Sequence, residues 1–306
     1  MHPSLRGYVT AVIGDAVAQD GGAQLADELN AVAHLVSRTN DLAVTLTDFG
    51  VPVPARQAVL SDLLSSRVHP LVLRVVLWAV QSERADDLPT VLHELFEYAH
   101  HLQALGPDQV RAEEPVYGRT AWRHYASGYA AGVFEAVAQT AEIEDMEDEL
   151  FRFTRIVEAN PELRSALADP TVSPAGRQAL LDNLLGGKVR LATLQLAKVV
   201  LEGHVRDLVA ALDWLVEQAA RARGWRVARV RAARPIDDGE QQALAGALER
   251  LTRQPVELQI TEDPSLLGGA VVQVGDLLVD ASAEHRIAQL EEHLLGAEGT
   301  TRGIGT

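Results

Sequence analysis

The densest group of side chains able to bind a metal or move a proton is His93, Glu97, His100 and His101, set at near-helical spacing. Two His and a carboxylate on one helix face form a donor set for Zn. The run His93-Glu94-Leu95-Phe96-Glu97 nevertheless lacks the second His of the zinc-protease pattern, and a solvent-facing polar helix is the plainer reading. Glu142, Glu144, Asp145, Glu147, Asp148 and Glu149 could bind a divalent ion, yet they flank an apolar stripe and read as a solvated helix face. Arg221, Arg223, Arg226, Arg229, Arg231 and Arg234 with Trp225 make the basic stretch, and arginines beside an aromatic ring suit single-stranded nucleic acid; pairing within the molecule or a stalk contact is the competing and favoured reading. Gly268 and Gly269 suit a turn or bulge, because no phosphate-loop pattern surrounds them. No Ser/His/Asp or paired-carboxylate constellation assembles, so no catalytic residue, cofactor or metal is expected and the chain reads as a non-enzyme.

Bulk properties point the same way. The chain has 306 residues, 47% hydrophobic and 23% charged, enough for two or three cores. Aromatics are only 5%, so the cores should be helices packed through Ala and aliphatic side chains. A formal charge of −16 repels phosphate backbones and anionic lipid headgroups. With no cysteine, disulfides and thiolate chemistry are excluded, which fits a reducing compartment. The start of the chain lacks a signal-peptide pattern. The best apolar run, Leu71 to Val80, is short and carries Arg74. Work at a membrane would require a partner as anchor.

The elements that hold these residues come as a repeat. Residues 7 to about 83 align with 128 to about 204 at a constant offset of 121. Gly7-Tyr8 meets Gly128-Tyr129, Asp27-Glu28-Leu29 meets Asp148-Glu149-Leu150, and Ala55-Arg56-Gln57 meets Gly176-Arg177-Gln178. Beyond Arg84 the offset becomes 120, placing Leu88, Leu92 and Leu95 on Leu208, Leu212 and Leu215. Ile143, Met146, Leu150, Phe153 and Val157 form an amphipathic stripe, echoed by Leu25, Leu29, Val32 and Val36. Asn160-Pro161 and Ser173-Pro174 read as N-caps followed by Pro at the first helical position.

The expected fold is two tandem six-helix bundles followed by a small α/β domain. The boundaries are 1–102 for the first bundle, 103–119 for a linker, 120–224 for the second bundle, 225–296 for the α/β domain and 297–306 for a disordered tail. In the α/β domain Val256, Leu258 and Ile260 share a strand face. Gly275-Asp276 suits a two-residue hairpin turn, and Ser282 would cap a last helix near 283–295.

The stretch Asp263-Pro264-Ser265-Leu266-Leu267-Gly268-Gly269-Ala270-Val271-Val272-Gln273-Val274-Gly275-Asp276, then Asp280-Ala281-Ser282 and a segment with Arg286 and Leu290, resembles the C-terminal signature of the ATP synthase delta subunit family. That family includes the mitochondrial oligomycin-sensitivity-conferring protein. Tyr129-Ala130 and the run from Asp148 to Leu185 resemble the family's six-helix bundle, and the extra N-terminal copy resembles an actinobacterial duplication. The resemblance implies a non-catalytic stator subunit of the F-type ATP synthase at the cytoplasmic face of the plasma membrane, one copy per complex. Its partners would be alpha subunits and a b-type stalk, with no nucleic acid.

For helix-in-groove docking of alpha N-terminal helices, the resemblance nominates Tyr129, Ala130, Val133, Leu194, Ala197 and Leu201. Copy one offers Tyr8, Val9, Val12, Leu73, Val76 and Val80 at the matching positions. For the stalk it nominates Leu266, Leu267, Val272 and Val274. All of these could equally be core. Copy two is expected on the head and copy one along the stalk or on a second alpha terminus, so deleting residues 1–110 should leave head binding largely intact. The alternatives are a generic tandem-bundle adaptor or an RNA-binding regulator.

Overall fold

A helix needs a start that satisfies its free N–H groups and an apolar stripe to bury, and the stripes recur at matching positions in the two copies. The computed structural model describes residues 1–18, 22–106, 108–110, 118–138, 142–169, 171–202, 207–224, 226–252, 255–274 and 277–280. Copy one comprises α1 (Pro3–Ala18), α2 (Gly22–Arg38), α3 (Asn40–Thr47), α4 (Val53–Leu64), α5 (Pro70–Ser82) and α6 (Leu88–Leu105), with a 3-10 turn at Ala85–Asp87. Copy two comprises α7 (Arg119–Val137), α8 (Glu142–Ala159), α9 (Pro161–Ala168), α10 (Pro174–Leu185), α11 (Leu191–Glu202) and α12 (Leu208–Ala222). None of these helices, among the described residues, is long and apolar enough to cross a membrane.

The stripes bury as a matched set: Leu29 with Leu150, Val36 with Val157, Leu46 with Leu167 and Leu60 with Leu181 are all essentially inaccessible. Leu88, Leu92 and Leu95 and their counterparts Leu208, Leu212 and Leu215 are buried too. Starts are less well matched. The Asn160 side chain accepts from Leu163 N–H at 3.2 Å and the Ser173 hydroxyl from Gly176 N–H at 3.1 Å, whereas Thr39 and Pro52, the counterparts, make no side-chain cap.

The repeated Asp-Glu-Leu element has a structural role in both copies. Glu28 accepts from the His69 N–H at 2.5 Å, ahead of α5. Glu149 accepts from the Arg190 N–H at 3.0 Å and from the Thr193 hydroxyl at 2.5 Å, at the start of α11. A carboxylate there satisfies free donors and complements the positive end of the helix.

The chain divides into two compact units, residues 1–218 and 219–306. Both bundles therefore belong to one unit, and the most extensive helix pairing in it joins α1 to α7. Side chains at Gly7 and Gly128 would collide with the backbone of Tyr125 and Ser4, so glycine is what lets these two helices touch. The sequence suggests a semi-extended spacer between the copies, but Val110 within it is helical and 1% exposed, packed in the copy-one core.

The C-terminal unit holds β1 (Arg226–Ala232), α13 (Asp238–Thr252), β2 (Val256–Glu262), β3 (Ala270–Val274) and β4 (Leu277–Asp280). The sheet order is β2-β1-β3-β4, with β1 parallel to β2 across the α13 crossover and antiparallel to β3. Ala228, Val230, Val256, Val272 and Val274 pack with Leu248 of α13, and Leu258 and Ile260 join them, so the alternation read from the sequence defines the core face. The turn at Gly275-Asp276, the cap at Ser282, the helix near 283–295 with Arg286 and Leu290, and the tail lie outside the described residues.

Candidate partner-docking surfaces

Helices α7 and α11 are brought together: the indole N–H of Trp122 on α7 donates to the Val199 carbonyl on α11 at 3.1 Å. Of the nominated residues, Tyr129 and Ala130 on α7 and Leu194, Ala197 and Leu201 on α11 are each under 9% exposed, and Val133 is half-buried. The nominated docking face is therefore closed packing, and a partner helix would have to open it. In copy one Tyr8, Val9, Val12, Val76 and Val80 are buried and Leu73 half-buried. Tyr8 stacks on Trp78 with ring centroids 4.3 Å apart and donates its hydroxyl to Glu135 at 2.6 Å. Burial first, then the hydrogen bond to Glu135 and its charge, raise the phenol pKa well above its ordinary value.

Apolar side chains that do face solvent lie elsewhere. In the helical unit they include Val44, Phe49, Val59, Ile156 and Leu191, and in the C-terminal unit Leu251 and Leu267. Phe49, 67% exposed in the turn after α3, was missed from the sequence although an aromatic in an Asp-Phe-Gly turn is itself a signal.

Of the four stalk candidates, Val272 and Val274 are sheet core, Leu266 is half-buried and Leu267 is 77% exposed. Leu267 sits on a loop built to hold its shape. Arg231 donates to one Asp263 carboxylate oxygen, while the other accepts from the Ser265 N–H at 3.0 Å and the Ser265 hydroxyl at 2.5 Å. Asp263 N–H reaches the Ala232 carbonyl at 2.8 Å, and Ala233 N–H reaches the Gly269 carbonyl at 3.1 Å. Gly269 has φ +80°, the left-handed conformation that glycine adopts without strain, whereas Gly268 is not among the positive-φ glycines.

The Ser265 hydrogen bond, with Arg231 next, holds the Asp263 carboxyl down at about 2. Because the folded pKa lies below the usual value of 3.8, the loop is fully supported above about pH 4 and loses that support as pH falls through about 2. Amide exchange at Ser265–Gly269 should accelerate over that window, and an Asp263→Asn chain should show the faster exchange already at neutral pH. Equal exchange in parent and variant would remove the pinning role.

The remaining chemistry-bearing groups resolve into packing. His93 approaches Glu97 at 3.9 Å, and among the described residues no three His, Cys, Asp or Glu converge as a metal site. In the acidic run Glu144, Asp145 and Asp148 are exposed, but Glu147 is 3% exposed, so that run is only in part the solvated face expected of it. Arg190 pairs with Asp145 and Glu149. In the basic stretch Arg223 pairs with Glu257, Arg231 with Asp263 and Arg234 with Glu240, the within-molecule reading of those arginines.

Comparison with known proteins agrees with this architecture. The family described as ATP synthase delta (OSCP) subunit matches residues 5–115 and again residues 126–294, once for each copy. A protein of Frankia alni called ATP synthase subunit delta is 35% identical over 285 residues, covering 92% of this chain and 91% of the relative. The corresponding Streptomyces avermitilis protein is 34% identical, covering 86% of each, and that of Nocardia farcinica 30% identical, covering 95% and 94%. A chain in the cryo-EM structure of the Toxoplasma gondii mitochondrial ATP synthase hexamer is similar at 19% identity and a TM-score of 0.39, over 55% of this chain and 95% of that one. With one family match over the first copy, a second running through the second copy and the C-terminal sheet, and relatives of about a third identity along most of its length, this chain belongs to the ATP synthase delta (OSCP) family.

Proposed function

We propose that the chain works by grip at two ends: its helical unit receives N-terminal helices of the alpha subunits, and its C-terminal unit holds the far end of a b-type stalk. As a family member it is a non-catalytic peripheral-stalk subunit of ATP synthase. Held through that complex, it would sit at the cytoplasmic face of the plasma membrane, one copy per complex. Copy two receives the head, and copy one lies along the stalk or takes a second alpha terminus.

The observation that carries the stalk half is Leu267, exposed at the tip of a loop tied down by Asp263, Ser265 and Arg231. An apolar anchor held by a preformed loop loses little conformational entropy on docking. Leu267→Asp should weaken binding of the full chain to a b-type stalk segment about tenfold, ~1.4 kcal/mol. Binding of an alpha N-terminal peptide, measured calorimetrically beside it, should not change. Undiminished stalk affinity would move the grip away from this loop.

A further inference from the structure

A duplicated bundle that folds against itself must do so through some surface, and here the surface has a symmetry. A side chain at Gly7 would strike Tyr125, and one at Gly128 would strike Ser4. Residues 4 and 125 are one repeat apart, as are 7 and 128. Ala11 and Gly132, also equivalents, meet each other: a Cβ at Gly132 would lie 2.9 Å from that of Ala11. Each position thus meets the counterpart of its own neighbour, the pattern of an isologous two-fold contact. The contacts advance together along the chain, so the two helices run side by side in the same direction.

Both helices carry small residues four apart, Gly7 with Ala11 and Gly128 with Gly132, the spacing that lets two backbones approach closely. Glycine inside a helix is unfavourable relative to Ala, a cost offset here by the contact each glycine permits. At the edge the symmetry is broken by charge. Glu135 accepts from Tyr8 at 2.6 Å and pairs with Arg74 at 2.9 Å, whereas its counterpart in copy one is Gly14. That asymmetry selects one arrangement of the pair.

We propose that the first-helix face of this bundle is a self-docking surface whose partner is a second copy of the same bundle, and that the chain is such a dimer made covalent. The two bundles then move as one body, and a load reaching copy one passes to copy two through the α1–α7 seam. The first bundle is a brace and not a tethered arm.

The test uses the full chain, which has no cysteine of its own. Ala11→Cys with Gly132→Cys needs only a small outward adjustment to reach the ~3.5–4.5 Å Cβ separation of a disulfide. Mild oxidation should give a faster-migrating monomer on a non-reducing gel. Adding Gly128→Leu should abolish that bond and enlarge the radius of gyration in X-ray scattering, while the far-ultraviolet helical signal is retained. Failure of the bond to form, a bond between two chains, or a bond and radius undisturbed by Gly128→Leu would each overturn the proposal. So would loss of helical signal in the Gly128→Leu chain, which would make the seam part of the bundle's own core.

Discussion

Glu149→Ala should destabilise the second bundle by about 2–3 kcal/mol, several times the loss from Glu28→Ala at the equivalent position of the first. The two glutamates occupy the same place in the repeat, yet their surroundings differ. Glu28 accepts two exposed hydrogen bonds, from His69 N–H at 2.5 Å, which caps α5, and from the Gln24 amide at 2.9 Å, and since water replaces both, its removal is put at roughly 0.5–1 kcal/mol, the scale of a helix cap. Glu149 accepts three: from the Arg190 N–H, its guanidinium and the Thr193 hydroxyl, with its own side chain 13% exposed. Thr193 is 1% exposed, so removing the carboxylate strands a hydroxyl that water does not reach. The Arg190 side chain is 36% exposed and solvent screens its ion pair, so the stranded donors dominate the estimate. Native-state exchange of the α11 amides reads the difference, whereas a single melting transition need not in a chain of several units. Equal losses at the two glutamates would mean that the extra partners of Glu149 add nothing.

The same comparison shows what the sequence could and could not disclose. Apolar stripes and the caps at Asn160 and Ser173 are local, and each was legible because a single helix period or a three-residue reach decides it, while the repeat register was legible because the chain can be laid against itself. The C-terminal strands were legible for the same reason, since Val256, Leu258 and Ile260 alternate. Even the matching glycines were in view, but as markers of register. That Gly7 and Gly128 face each other depends on which surface of each bundle is buried, and no local pattern states this. The unexplained signal was energetic: glycine within two otherwise good helices, at the same place in each.

Burial also decides what the docking candidates can do. Tyr129 and Ala130 share a face in the sequence as in the structure, but whether that face is open depends on packing partners far along the chain. Removing residues 1–110, which the sequence suggests would leave head binding largely intact, would strip α1 from α7. Gly128 and Gly132, closed off by α1, would then lie open. Such a truncation perturbs the bundle proposed to bind the head, so point substitutions at Leu267 or Gly128 in the full chain separate the roles more cleanly. The exposed leucine was legible as a candidate, whereas the Arg231 tie to Asp263 that helps hold its loop was not, because it joins residues 32 apart.

Arg56→Met should cost the first bundle about 2 kcal/mol, and Arg56→Lys should not recover it. Arg56 is 7% exposed, and its guanidinium donates to the carbonyls of Val51 at 3.2 Å and Leu46 at 3.3 Å, closing the corner between α3 and α4. Two effects oppose each other. Dehydrating a guanidinium without a carboxylate partner is unfavourable, so a neutral, similarly long Met relieves a cost and keeps the packing of the stem. Against that, the Leu46 carbonyl belongs to the last turn of α3, where the negative end of the helix favours a cation, and the variant leaves two carbonyls without their donor. The second effect should win because both carbonyls are served by one planar fork; a lysine ammonium cannot reach them together. Arg177, the equivalent residue, is 6% exposed but its Nε finds no acceptor among the described residues, so Arg177→Met should cost less than Arg56→Met. Exchange rates of the α4 and α10 amides in the two variants decide the matter: if Arg56→Met protects as well as the parent, dehydration of the guanidinium cancels its hydrogen bonds and the corner is held by Leu46 and Leu60 alone.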